Sequence, residues 1–506
     1  IAGDLLPDRT NPDLVATKFH LQTQYNLEGG VDAEEDRTKR VIDQINTVGT
    51  TWLGTTVGCA QCHDHPYDEF TQRDFFSLYA FFNNTDYAAD FLTDPPVDAD
   101  SKRSDRANRW SKVAANLEKQ VTDKNLSNAV QGALSGMRGF DNSNHFTRYL
   151  EERTVNRRTT HIFQRGDFLQ PDLASHVQPA APTALPAMTA RGDTPDRLDL
   201  SNWITSPENP LTARVTVNKI WARLFGRPLA DQPHDFGARG TPPSHPGLLD
   251  HLAHYFVHDA LWSRKKLIRY IVTSQAYQRS SHHRPDLADI DPDNALLARQ
   301  NPFRAEAEVI RDIALQSAGL LHHGIGGPSV YPPLPAIIAA QTYAGSFKYK
   351  PSTGPDRYRR GLYTFFRRTA IDPNLSTFDC PDSSSSQPLR DTSNNPLQAL
   401  ATLQNEVFHE AAQSFAKSLL AKHPNRPRRL LHTAYLTALS RPPSKQESKT
   451  LLALYKKSHA HYTAHPEAAA QLVGPHASPL AAPETNAAWI ATLRVVLNLD
   501  EFLTRS

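Results

Sequence analysis

Residues 57–82 read VGCAQCHDHPYDEFTQRDFFSLYAFF, and both the architecture and the chemistry of the chain turn on them. Thr71 and Asp74 stand at the spacing of a capping box, and Phe75, Phe76, Leu78, Tyr79 and Phe82 follow at helical intervals, so an aromatic-rich helix is predicted there. Upstream, Asp32 with Glu35 opens another helix over residues 31–53, with Val41, Ile42, Ile45, Val48 and Trp52 on its apolar face. Gly54 and Gly58 then loosen the backbone, leaving Cys59-Ala60-Gln61-Cys62-His63 in a short connection between two helices.

C-x-x-C-H is the spacing at which a chain captures haem c through two thioether bonds and an axial imidazole. One helical turn separates Cys59 from Cys62, so both sulfurs can face one porphyrin edge, and His63 is placed to be the proximal iron ligand. One covalent haem c is therefore the expected cofactor. Two other readings use the same side chains: half of a zinc site, which needs further ligands from Cys380 or histidines, and a thioredoxin-like redox pair, which lacks its usual βαβ surroundings. The only methionines, Met137 and Met188, lie in polar or proline-rich sequence, which favours a histidine or a vacant position opposite His63. Asp64, His65, Pro66, Tyr67 and Asp68 would be held near the haem edge. His65, oriented by Asp64 or Asp68, is a candidate proton shuttle or general base; the same side chains can equally cap and brace the loop.

Beyond this core the chain stays helical. From about residue 88 to 160 it turns polar and weakly periodic, read as an inserted helical segment, and residues 166–198 are proline-rich, read as a linker. Val215, Ile220, Trp221 and Leu224 trace a helix that Gly226 can end; Ser244 and Ser263 are expected N-caps of two more. YRRGLYTFFRRT (358–369) alternates aromatic and basic residues as a strand would, with arginines able to meet propionates, anionic sugars or solvent. Asn395 with Pro396 starts another helix, and Trp489, Leu493, Val496, Leu497 and Phe502 mark the last. The fold class is mainly α: a multi-helical two-domain protein with the haem motif between helices and few short strands. The divisions are a haem-motif domain (1–165), a linker (166–198) and a helical domain (199–506).

At 506 residues there is ample chain for large cores, and a net charge of +2 argues against a general nucleic-acid binder. No run of about 18 apolar residues is present, so no membrane span is expected. The chain begins at Ile1 without signal-peptide features, and haem attachment through cysteine implies assembly outside the bacterial cytoplasm; an upstream export signal or domain is the expectation.

Several further blocks add to the reading: IAGDLLPDRT (1–10), Glu28-Gly29-Gly30, NPLTARVTVNKIWARLFGR (209–227), DFGARGTPPSHPGLLD (235–250), LIRYIVTSQAYQRSS (267–281), GGPSVYPP (326–333) and SNNPLQAL (393–400). With residues 57–82, the chain resembles the exported planctomycete cytochrome-c-type proteins, in which a haem-motif domain of unknown function precedes a planctomycete-specific helical domain. The resemblance implies a periplasmic or otherwise extracytoplasmic protein, with an upstream or separate c-type cytochrome domain as electron partner and a genomic setting among sulfatases and polysaccharide-degrading functions. It carries the haem role onto Cys59, Cys62 and His63, and places His65 and Asp68 at motif positions. His245, in the PPSHP block, is a candidate distal ligand or catalytic partner, or simply a braced helix-terminal residue. The chain departs from the pattern around Cys380-Pro381-Asp382-Ser383 and over 88–160.

Two classes of function follow. One is a c-type haem protein in electron transfer or oxidoreduction, linked to polysaccharide catabolism, with His65, Asp68 or His245 serving proton transfer if the iron also catalyses. The other is a haem-stapled scaffold that binds an anionic polysaccharide or a protein without redox catalysis. A hydrolase is disfavoured, since neither G-x-S-x-G nor H-E-x-x-H occurs.

Overall fold

Capping side chains start the helices on which the pentad hangs. A computed structural model describes residues 1–23, 30–91, 146–153, 155–340, 348–366, 371–383, 386–387 and 389–505. After α1 (Asn11–Ala16), α2 (Ala33–Val48) starts at Asp32, whose carboxylate accepts the backbone N–H groups of Glu34 and Glu35. A π-helical turn, Gly49–Leu53, prolongs it until Gly54 takes a left-handed conformation at φ 59°. In α3 (Gln72–Asn83) Thr71 and Asp74 form the expected reciprocal box.

The chain divides into two compact units, residues 1–278 with 383–388 and residues 279–382 with 389–506. In the first, α2 and α3 pack through Val41, Ile45 and Val48 against Phe75, Phe76, Tyr79 and Phe82, all buried. These rings are core, and Met188 packs beside them; Met137 lies outside the described residues. The strand β1 (Thr85–Phe91) pairs antiparallel with β2 (Phe146–Glu152), so the described ends of the segment read as helical are extended. Its interior lies outside the described residues.

The proline-rich stretch is built into this unit. There β3 (Thr160–Phe163) pairs with β4 (Pro171–Val177), and Thr183 N–H donates to Asp74 at 3.0 Å. Four helices follow in the same unit: α4 (Arg197–Ile204), α5 (Thr212–Phe225), α6 (Pro246–His258) and α7 (Arg264–Val272). The division expected at residue 199 thus falls inside a shared core, where Leu200 and Trp203 join the α2–α3 cluster. Gly54 shows how close the approach is: an added Cβ would sit 2.6 Å from a Val215 methyl. Lys219 Nζ donates to the carbonyls of Thr50 and Thr51 at 2.9 and 3.1 Å, and burial holds its amine down to about 8.

In the second unit the helices are α8 (Ala307–Ser317), α9 (Ala336–Ala340), α10 (Pro373–Thr377), α11 (Pro396–Gln404), α12 (Glu406–Lys422), α13 (Pro427–Leu439), α14 (Lys445–Ala464), α15 (Pro466–Val473), α16 (Pro483–Leu497) and α17 (Asp500–Leu503). Phe415, Leu419, Leu430, Tyr435, Leu493 and Val496 form its core, and Tyr455 stacks on Trp489 at 4.4 Å. With seventeen α-helices and three two-stranded ladders among the described residues, the last pairing Phe303–Arg304 with Thr504–Arg505, the protein is mainly α, as expected. No helix among the described residues is long and apolar enough to cross a membrane.

Candidate functional site

Val57–Gln61 forms a 3-10 helical turn that buries Val57 and Ala60 and thereby turns the alternate positions outward. Cys59 and Cys62 are free thiols, and both are exposed. Cys62 closes the turn, its N–H donating to the Cys59 carbonyl at 3.4 Å. His63 is exposed as well, with Nδ1 2.7 Å from the Asp64 carbonyl oxygen. A carbonyl only accepts, so Nδ1 carries the proton and Nε2 keeps its lone pair, the tautomer a metal-binding imidazole needs. The donor set therefore suits a haem c group: two accessible thiols one turn apart, followed by an imidazole whose far nitrogen is free to ligate iron. Among the described residues no group of three or more His, Cys, Asp or Glu side chains is arranged to hold a metal ion, so the zinc reading finds no further protein ligands there.

The following loop is braced from several sides. His65 Nδ1 accepts the N–H groups of Asp68 and Tyr67 at 2.9 and 3.4 Å, which places its proton on Nε2. The Asp68 carboxylate, 3.6 Å away, does not pair with that nitrogen, which is already occupied by backbone donors. Asp68 instead accepts Ala238 N–H at 2.7 Å. Gly237 permits this approach, since a Cβ there would lie 2.3 Å from an Asp68 carboxylate oxygen. Asp64 accepts Gln72 N–H at 2.8 Å, tying the pentad to the N-terminal end of α3. Asp64, His65, Asp68, Phe70 and Thr183 line an open depression of about 330 Å³. Gly237→Val should displace Asp68 and cost about 1 kcal/mol, the net worth of an ordinary hydrogen bond; urea unfolding that matches the wild type would show that this bracket contributes nothing.

A hairpin whose second strand the sequence reading placed in the linker reaches the cysteines. Gln72 Nε2 donates to Gln61 O at 3.0 Å and to Phe163 O at 3.4 Å, and Gln61 Nε2 donates to Gly166 O at 3.4 Å. Gly166 sits at φ 77°, and a Cβ on it would lie 2.7 Å from Cys62 Sγ. The signal for it was Thr160-His161-Ile162-Phe163 followed by the turn-prone Gly166-Asp167.

Other candidates lie apart from this cluster. His245 is half-buried at the N-cap of α6, its Nδ1 3.0 Å from Ser244 Oγ, and does not line the depression. Ser244 is not the cap, because Pro246 takes the first helical position and sets the start one residue later. Cys380 belongs to the second unit, where burial and the neighbouring Glu308 carboxylate push its thiol up to about 11. The stretch expected as a strand at 358–369 forms 3-10 turns at Gly354–Tyr358 and Gly361–Tyr363, with residues 367–369 outside the described ones. Of its described arginines, Arg359 is buried, donates to the carbonyls of Pro328 and Gly326 and stacks on Tyr363, while the exposed Arg360 pairs with Asp312.

Two family models match. Residues 196–455, just over half of the chain, match PSD1, a protein of unknown function (DUF1553), and residues 1–87 match PSCyt2, a protein of unknown function (DUF1549). No curated protein and no solved structure matches the chain.

Proposed function

Since the chain belongs to the PSD1 family and carries its C-x-x-C-H pentad inside the PSCyt2-matching segment, we propose that it is an extracytoplasmic c-type haem protein in electron transfer or oxidoreduction, serving polysaccharide catabolism. The observation that carries this reading is the pairing of two free, exposed thiols one turn apart with an imidazole already in its metal-binding tautomer. Cys59 and Cys62 would hold the group covalently and His63 Nε2 would bind its iron. Haem c bound there supplies one-electron chemistry.

The chain's own residues do the positioning. The Asp64 carbonyl fixes the His63 ring through the Nδ1 hydrogen bond, while the Asp64 carboxylate is anchored to α3. His65 and Asp68 hold the loop to the backbone, so only Nε2–H of His65 is left to meet a substrate. Exposure of both cysteines favours exchange with a docked electron partner, for which a small c-type cytochrome domain is the natural chemistry.

Material exported through a haem c maturation system should show, on reduction, the sharp visible bands of a c-type haem. Colourless protein after maturation would overturn the proposal. Carbon monoxide should shift the reduced spectrum if the position opposite His63 is open and the protein is an oxidoreductase; an unchanged spectrum would restrict it to electron transfer.

A further inference from the structure

The hairpin formed by β3 and β4 is pinned to the pentad, yet it exposes apolar side chains. Its tip is rigid: Gln164 N–H donates to Gln170 O, Asp167 N–H to Gln164 O and Gln170 N–H to Asp167 O, each at 3.0 Å. Arg165 and Gly166 are both left-handed, at φ 52° and 77°. Gly166 lies so near Cys62 that a Cβ on it would fall 2.7 Å from Sγ, and Gln61 and Gln72 tie both sides of this approach together. On this same hairpin Leu169 and Leu173 are 72% and 75% exposed. The hairpin whose tip meets Cys62 thus leaves two leucines in water, on its turn and on β4.

Resting on the haem reading above, we infer that the hairpin is one wall of the haem site: its tip seats Cys62, and Leu169 and Leu173 pack against the porphyrin tethered there. The occupant follows from position, because a ring attached through Cys62 must leave that sulfur beside Gly166, on the hairpin that carries both leucines. A flat apolar ring suits leucine side chains, whereas a polar sugar chain does not.

Carbene footprinting with mass-spectrometric readout tests this on matured wild-type protein and on a Cys59→Ala/Cys62→Ala variant. Labelling of Leu169 and Leu173 should fall severalfold in the haem-bearing chain, while Leu261, 71% exposed, is labelled alike in both. If the variant does not fold, the loaded chain alone decides, with Leu169 and Leu173 labelled far less than Leu261. Haem-bearing protein whose three leucines react alike would overturn the wall and leave the haem reading standing. An intact mass equal to the bare polypeptide would overturn both.

Discussion

Replacing Cys59 and Cys62 together with serine should abolish covalent haem, so that the intact mass of exported, matured protein equals that of the polypeptide. Both side chains are exposed at a turn whose buried members are Val57 and Ala60, so the substitution should change the stability of the unloaded chain by no more than about 0.5 kcal/mol. Loss of the group without loss of the fold is what separates attachment from a structural role. His63→Ala should keep both thioethers and hence the added mass, while altering the visible spectrum through loss of the proximal ligand. Wild-type protein without added mass, from cells that mature other c-type proteins, would refute the assignment.

Arg197→Ala should be the most destabilising single change in the first unit, by about 3–5 kcal/mol. Its guanidinium is fully buried and donates to Asp4 at 2.5 and 3.0 Å, to Glu152 at 3.1 Å and to the Ile1 carbonyl at 2.6 Å. Removing it strands two buried carboxylates near each other. Burial already pushes the Glu152 carboxyl above the ordinary carboxylate range, against the pull of Arg197. A raised acid favours folding in its protonated form: that contribution is fully present below the unfolded value of 4.5 and is lost as pH rises through the folded one. The variant should therefore lose stability more steeply than wild type between mildly acidic and neutral pH. Urea unfolding across that range checks both statements, and a loss under about 1 kcal/mol would show that solvent reaches the cluster. Arg197→Met with Asp4→Leu should recover part of the deficit, since a packed apolar pair can replace a buried ionic one.

Local signals carried much of this molecule. The start of α2 was legible because Asp32 precedes an apolar period, α3 because Thr71 and Asp74 bond each other's backbone, and α11 because Asn395 stands before Pro396. The pentad stood out because its five residues are contiguous and need no distant partner to be noticed. What escaped depends on partners distant in sequence. YRRGLYTFF alternates like a strand, yet Gly361 donates its N–H to Asp312 on α8 and lies so close to Glu308 that a Cβ would fall 2.6 Å from that residue's carbonyl; helix contacts replaced a ladder. The β3–β4 hairpin was hidden because one strand has only four residues and the other begins at a proline. Asp68 was expected, like Asp64, to orient His65, but it is held by the Ala238 N–H from 170 residues away, beyond the reach of any local pattern.

The Lys219 amine, caught on the carbonyls of Thr50 and Thr51, joins the two stretches matched by separate family models across the first unit's core. A break between them would strip the Lys219 amine of its acceptors on one fragment and leave the Thr50 and Thr51 carbonyls without that donor on the other.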